Sequence, residues 1–389
     1  MGKDSVHSPF NNPKKKLFFI FLPLLIGAFL FFGGLGVELF YVKLYGVFFA
    51  LLLVGLVLTL KEKLLLPKEF RLYFLFLLVF GLNVFWSQYR FATLEQLFLF
   101  TSGGLFWIAL YNIYREFGQW LDKIVIVLGL LFGGLFILNR YWGDTQTRPW
   151  SLFLPFSGYL NHNNIGDFWA PVLIIVVYSI VIRPKKYIYW FLAVSGVYFL
   201  LESQSRSAYV AFAIGVYYLL KETRFVINYH KILYIFVFIG ISLFLFTGSY
   251  KTVIFSRPYF VQALVGLAHN PFGVGVGNFG LISTDVNNWI FGLSGPSVAV
   301  HNIVLETFSG MGIMGTVFIV WLIKTSMNLW KKKGRLGLVY RASFFTLLTN
   351  FLFHSSYFIP TMLWLWFIFL GISQKLSLNE VKKAPPLLL

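Results

Sequence analysis

Cysteine is absent from the 389 residues, which excludes disulfide bonds and thiolate metal ligands. Charge is scarce too: 12% of residues carry it, against about a quarter in soluble domains. Acidic groups are the scarcest, with 14 Asp and Glu and no two within two residues of each other. There is thus no DxD-like pair to hold a divalent ion beside a sugar phosphate. Nor is there an obvious carboxylate pair for glycoside hydrolysis, and no GxSxG supplies a hydrolase elbow. No internal repeat or low-complexity linker divides the chain between its two tails.

Apolar residues fill the space, at 58% of the chain. They form runs near the roughly 20 residues that a bilayer-crossing helix needs. Spans are expected at about 17–36, 40–60, 70–86, 97–114, 120–140, 164–182, 187–203, 206–220, 232–248, 300–323, 337–353 and 358–374. The expected fold is an all-α polytopic membrane protein of about 12 transmembrane helices. One membrane domain covers 17–374, with tails at 1–16 and 375–389 on the cytoplasmic side. The apolar stretch after Lys16 lacks a small-residue cleavage site and is too long for a signal peptide, so it reads as an uncleaved first span. Val6 stands where a myristoylation signal wants Ser or Thr. Pro171, Pro360 and several glycines are expected to interrupt helices, which neighbouring groups can resatisfy.

The net charge of +18 does not mark a nucleic-acid binder, because the basic residues form short clusters between apolar runs and no continuous basic face. They orient the chain instead. With the amino terminus inside, only Lys43, Arg90, Arg140, Arg148, Arg206, Lys251 and Arg257 fall outside, and the other 25 of 32 basic residues fall inside. Five of those seven outer residues are Arg, against six of the 25 inner ones. Lysine suffices to set topology, whereas the planar guanidinium matches phosphate oxygens. An Arg at this depth can equally snorkel to the headgroups.

Three outward segments exceed a tight turn: Ser87–Gln96, Asn139–Asn163 and a loop over 248–299, whose length points to function. Within the last, SRPYFVQALVGLAHNPFG reads as a short amphipathic helix along the membrane interface, followed by a Pro/Gly turn. His301, in VAVHNIVLETFSGMGIMG, stands where the chain re-enters the bilayer. Arg206, in ESQSRSAYVAF, has the same placement, with Ser205 as a cap. Helix amino termini favour bound phosphate, and the same dipole keeps a nearby imidazole neutral and able to accept a proton. Singly, an interfacial His or a lipid-binding Arg explains each residue as well.

Other patterns are decoys. Gly275, Gly277 and Gly280 match GxGxxG, but no strand precedes them and no ribose-binding acid follows, so a close-packed turn is expected. The NHNN run places His162 near Asp167; one His and one carboxylate do not make a metal site, and the stretch reads as a cap for the sixth span.

SQSRSAYVAF, RPYFVQALVGLAHNPFGVGVGNFG and HNIVLETFSGMGIMG, in this order, resemble the O-antigen ligase and O-antigen polymerase superfamily of bacterial envelopes. The likeness covers about 158–320, inside a compatible twelve-span frame. It implies a glycosyltransferase of the bacterial inner membrane with its site facing the periplasm. Such an enzyme moves a glycan from undecaprenyl pyrophosphate to an acceptor hydroxyl, with inversion and without metal or other cofactor. Arg206 matches the family's Arg in the short hairpin and Arg257 the Arg opening the loop helix, which carries Val261 where the family prefers Leu. His301 matches the catalytic His. On that likeness Arg206 and Arg257 grip the diphosphate as it leaves, and His301 orients and deprotonates the acceptor. Arg90, Arg148 and Asn302 are further candidates for carrier or glycan contacts.

Ligase and polymerase differ in acceptor, lipid A-core for one and a growing lipid-linked glycan for the other. A compact chain with one dominant outer loop and no added soluble domain favours ligase. The rival from another class is a lipid-linked oligosaccharide flippase, which should carry ionisable groups mid-membrane; Glu306 is the main such group, and it lies near His301.

Overall fold

The computed structural model of the chain describes residues 13–35, 40–61, 63–141, 162–223, 258–289, 297–332 and 337–376. Among them every regular element is helical and none is a strand. The helices are α1 (Pro13–Leu35), α2 (Phe40–Lys61), α3 (Phe70–Trp86), α4 (Arg90–Asn112), α5 (Tyr114–Tyr141), α6 (His162–Ile182), α7 (Tyr187–Glu202) and α8 (Arg206–Thr223). They continue with α9 (Pro258–His269), α10 (Phe279–Trp289), α11 (Ile303–Met311), α12 (Thr316–Lys331), α13 (Leu338–Phe353) and α14 (Pro360–Lys375). Five stretches are long and apolar enough to cross a membrane: Tyr41–Leu60, Arg90–Asn112, Trp120–Leu138, Asn163–Ile182 and Ile303–Lys331. This is a membrane-embedded, all-α chain.

Helix α14 is buried on every side, as an all-apolar helix must be when it forms the middle of a bundle. Small residues on its neighbours let it in. A Cβ on Gly33 of α1 or Gly46 of α2 would overlap the Trp364 ring, and one on Gly103 of α4 would overlap Phe367. Close approach through small residues is the usual means of helix packing in lipid, where apolar burial gives little drive. Two of the indoles here are hydrogen-bonded: Trp364 Nε1 donates to Ser102 Oγ (2.7 Å) and Trp107 Nε1 to Gln374 Oε1 (2.8 Å). Glu69 accepts from Asn328 (2.7 Å) and Gln374 (3.1 Å), joining α3, α12 and α14 at one end of the bundle.

Three expectations change. The fourth span begins at Arg90, so the expected outer segment Ser87–Gln96 shrinks to the turn between α3 and α4. Pro360 interrupts nothing. It opens α14, where its missing N–H has no helical partner to lose. The expected span 300–323 is broken: α11 stops at Gly312, a 3-10 turn covers Gly312–Gly315, and α12 resumes. The expected span 232–248 lies outside the described residues.

The break is held open by the glycine-rich segment after α9. Gly273, Gly275 and Gly277 all have positive φ, the left-handed region that glycine enters without strain. This segment forms the close-packed turn expected for it. Gly275 N–H donates to the Gly310 carbonyl (2.8 Å) and Ile313 N–H to the Pro271 carbonyl (2.8 Å), so the segment replaces partners the broken helix lacks. Its other edge meets the α3–α4 turn. Val276 N–H donates to Asn83 Oδ1 (3.4 Å), Thr93 Oγ1 to Val276 O (3.1 Å), and Asn278 to Ser87 Oγ (2.8 Å).

Gly312 has φ 61°, and a Cβ there would overlap the Pro271 carbonyl oxygen. Gly312→Ala is expected to cost about 1–3 kcal/mol in backbone strain, with further loss from overlap, and to lower the unfolding midpoint in detergent. Gly55→Ala, where nothing lies within 4 Å, should leave the midpoint unchanged in the same measurement.

Candidate functional site

The chain segments around the amino termini of α8 and α11 meet at one end of the bundle. Asn302 is the N-cap of α11, its side-chain oxygen accepting from Val304 N (2.9 Å) and Leu305 N (3.0 Å). Its amide donates to the Leu352 carbonyl at the end of α13 (2.9 Å). The side chain of Asn302, a candidate for carrier or glycan contact, thus holds the helix start and the neighbouring helix. His301, just before the cap, has φ 57°, an unusual conformation for a non-glycine residue and one met at functional sites.

Two ring contacts of His301 lie among the described residues. Its ring lies 5.0 Å from that of Tyr259 on α9 and 5.6 Å from that of His354, whose plane is within 23° of parallel. His354 follows α13 and its Nδ1 stands 2.6 Å from Oδ2 of Asp167 on α6. The Asp167 side chain has no solvent exposure. Its Oδ1 accepts from Ser207 Oγ (3.1 Å) and Ser205 Oγ (3.4 Å), and its main-chain carbonyl accepts from Asn350 (3.0 Å). Ser205 also caps α8, accepting from Ala208 N (3.4 Å).

Arg206 stands between these two serines, as the exposed first residue of α8. An unbroken series of contacts thus runs from the residues flanking Arg206, through Asp167 and His354, to His301 and Tyr259. Arg257 lies outside the described residues, immediately before α9, the helix that carries Tyr259. Arg148 also lies outside them. Arg90 is exposed at the start of α4 and donates to the Phe85 carbonyl (3.3 Å), where it satisfies the end of α3.

A small separate core holds α9 and α10 over this end. Ala263, Val274, Phe279, Ile282, Val286 and Val300 pack together, with Tyr259 and Phe260 against them. Gln262 faces inward, whereas Val261 and Leu264 are 47% and 57% exposed. An exposed apolar face on a short helix beside membrane spans suits the lipid interface. Ser283 ties α10 to the segment that leads to His301, donating to Ser297 O (2.8 Å) and accepting from Ser297 N (3.0 Å).

Glu306 fixes the same segment from below. It is buried on α11, and its Oε2 accepts from Val300 N (2.9 Å) and the Tyr357 hydroxyl (3.3 Å). Burial and the facing Glu306 carboxyl push the Tyr357 phenol well above its ordinary range, so it serves as a donor. Glu306 therefore anchors the peptide just ahead of His301, a task that accounts for a carboxyl at this depth.

Sequence reading did not single out His354, Tyr259 or Tyr357, and it set Asp167 beside His162 alone. Asp167 and His354 are 187 residues apart, and no local spacing joins them. The available signal was an ionisable side chain at a bilayer boundary in FLFHSSYFIP. The two imidazoles lie face to face, and among the described residues no three His, Asp or Glu gather so as to hold a metal ion. No protein-family model matches the chain, and no curated protein matches it.

Glu306→Ala would leave the buried Val300 N–H and Tyr357 hydroxyl without their acceptor, at about 1–3 kcal/mol each. A fall in the thermal unfolding midpoint in detergent is expected, with Glu306→Gln recovering most of it because one acceptor oxygen remains.

Proposed function

We propose that this chain is a glycosyltransferase of the O-antigen ligase kind, transferring a glycan from undecaprenyl pyrophosphate to a hydroxyl of lipid A-core. In this account about 12 helices cross the bacterial inner membrane, both termini are cytoplasmic, and the segment over 248–299 lies in the periplasm. The observation that carries the proposal is the series of contacts from the residues beside Arg206, through Asp167 and His354, to His301. It draws together two helix amino termini nearly a hundred residues apart in sequence, each beside a residue suited to one half of a transfer reaction.

The chemistry divides accordingly. Diphosphate leaves with its charge compensated by Arg206 and Arg257, an electrostatic contribution of the kind that dominates many enzymes. The positive ends of α8 and α11 add to that field. His301 orients the acceptor hydroxyl for loss of its proton. The exposed apolar residues of α9 suit a donor whose polyprenyl tail stays in lipid while its diphosphate reaches the site.

In an in vitro assay with a lipid-pyrophosphate glycan and a lipid A-core acceptor, Arg206→Ala, Arg257→Ala and His301→Ala should each reduce transfer by about 10²-fold or more while remaining folded. Wild-type rates in all three would overturn the assigned roles. In a deletion strain, polymer accumulating on its carrier is the expected result. Single-unit chains would instead indicate a polymerase, and units stranded in the cytoplasmic leaflet a flippase.

A further inference from the structure

Asp167 and His354 have no counterpart among the groups assigned so far. Asp167 is completely enclosed, and a buried carboxylate is costly unless donors surround it. Its donors are His354 Nδ1 at 2.6 Å and the hydroxyls of Ser207 and Ser205. A second bond ties the same helices, from Asn350 one turn before His354 to the Asp167 carbonyl. The His354 ring is thereby fixed, with its side chain 12% exposed beside His301.

A carboxylate on Nδ1 sets the tautomer that presents Nε2 as an acceptor, and it stabilises the imidazolium once Nε2 is protonated. His354 has a buried carboxylate partner in Asp167, 2.6 Å from Nδ1. Other titratable groups among the described residues at this end include Glu306, bonded to Val300 and Tyr357, Tyr259 against His301, Arg206 between the two serines, and Glu202 at the end of α7.

We propose that His354, held by Asp167, accepts the proton of the attacking hydroxyl, while His301 orients that hydroxyl; this rests on the transferase proposal above. The acceptor oxygen forms its bond to the anomeric carbon as the bond from that carbon to the pyrophosphate oxygen breaks. The electron pair of the broken bond leaves with the lipid diphosphate. The hydroxyl proton goes to Nε2 of His354, and the Asp167 carboxylate balances the imidazolium.

The test uses the full chain in lipid nanodiscs, with an undecaprenyl-pyrophosphate glycan and lipid A-core, and follows kcat and donor KM against pH. His354→Gln and Asp167→Asn are expected to lower kcat by about 10²-fold or more, with donor KM within about threefold. The rise of kcat with pH should vanish in His354→Gln and survive, at reduced amplitude, in His301→Gln. Should either variant unfold, His354→Gly supplies the second readout: added imidazole should restore at least about tenfold of the lost rate, which repacking alone would not produce. A His354→Gln enzyme that keeps the wild-type pH limb, or a limb lost only in His301→Gln, would overturn the proposal and leave the transferase standing. No rescue of folded His354→Gly by imidazole would also overturn it. Failure of the wild-type protein to transfer glycan would overturn both.

Discussion

A carboxylate enclosed in a membrane protein has to be met by donors from every side, and the site end of this bundle is arranged around that requirement at Asp167. One oxygen takes His354 and the other takes two serines, while the backbone carbonyl takes Asn350. Three elements distant in sequence, α6, the start of α8 and the end of α13, are thereby brought to one point. Removing a single partner from such a buried group typically costs about 3–5 kcal/mol, so these elements cannot drift apart independently. The orientation of His354, and through ring stacking the surroundings of His301, follow from that one group.

The second constraint is backbone accounting. A helix broken inside a bundle exposes N–H and carbonyl groups that lipid cannot satisfy. The glycine-rich segment after α9 supplies partners at the break between α11 and α12, and the α3–α4 turn clamps it from the other side. Only glycine tolerates both the positive φ and the overlap at Gly273 and Gly275. The arrangement ends α11 as a short, rigid piece capped by Asn302, with His301 held just ahead of it.

Hydropathy located the helices well, because a bilayer demands long apolar runs and this chain has them. It missed the break at Gly312, since apolar side chains continue through it and the cause, a glycine strap from another segment, is not local. It also started α4 seven residues late, because Arg90, Glu95 and Gln96 dilute the apolar signal; Glu95 is paired with Lys43 of α2 at 3.7 Å. The cap at Ser205 was legible and acts as expected, and the Asn302 side chain is a cap as well. Arg206 and His301 stood out through motif order and placement at helix starts. Asp167 and His354 did not, because each is an isolated polar residue whose meaning lies in a partner far along the chain.

The central claim is that a lipid diphosphate is held between Arg206 and Arg257 with His301 beside it. The most direct measurement is an experimental structure of the purified chain in lipid, bound to an undecaprenyl pyrophosphate. The account predicts diphosphate density at the amino terminus of α8, within hydrogen-bonding distance of both guanidinium groups and open toward the His301 ring. Diphosphate bound elsewhere, or Arg257 on the far side of the bilayer from His301, would contradict it.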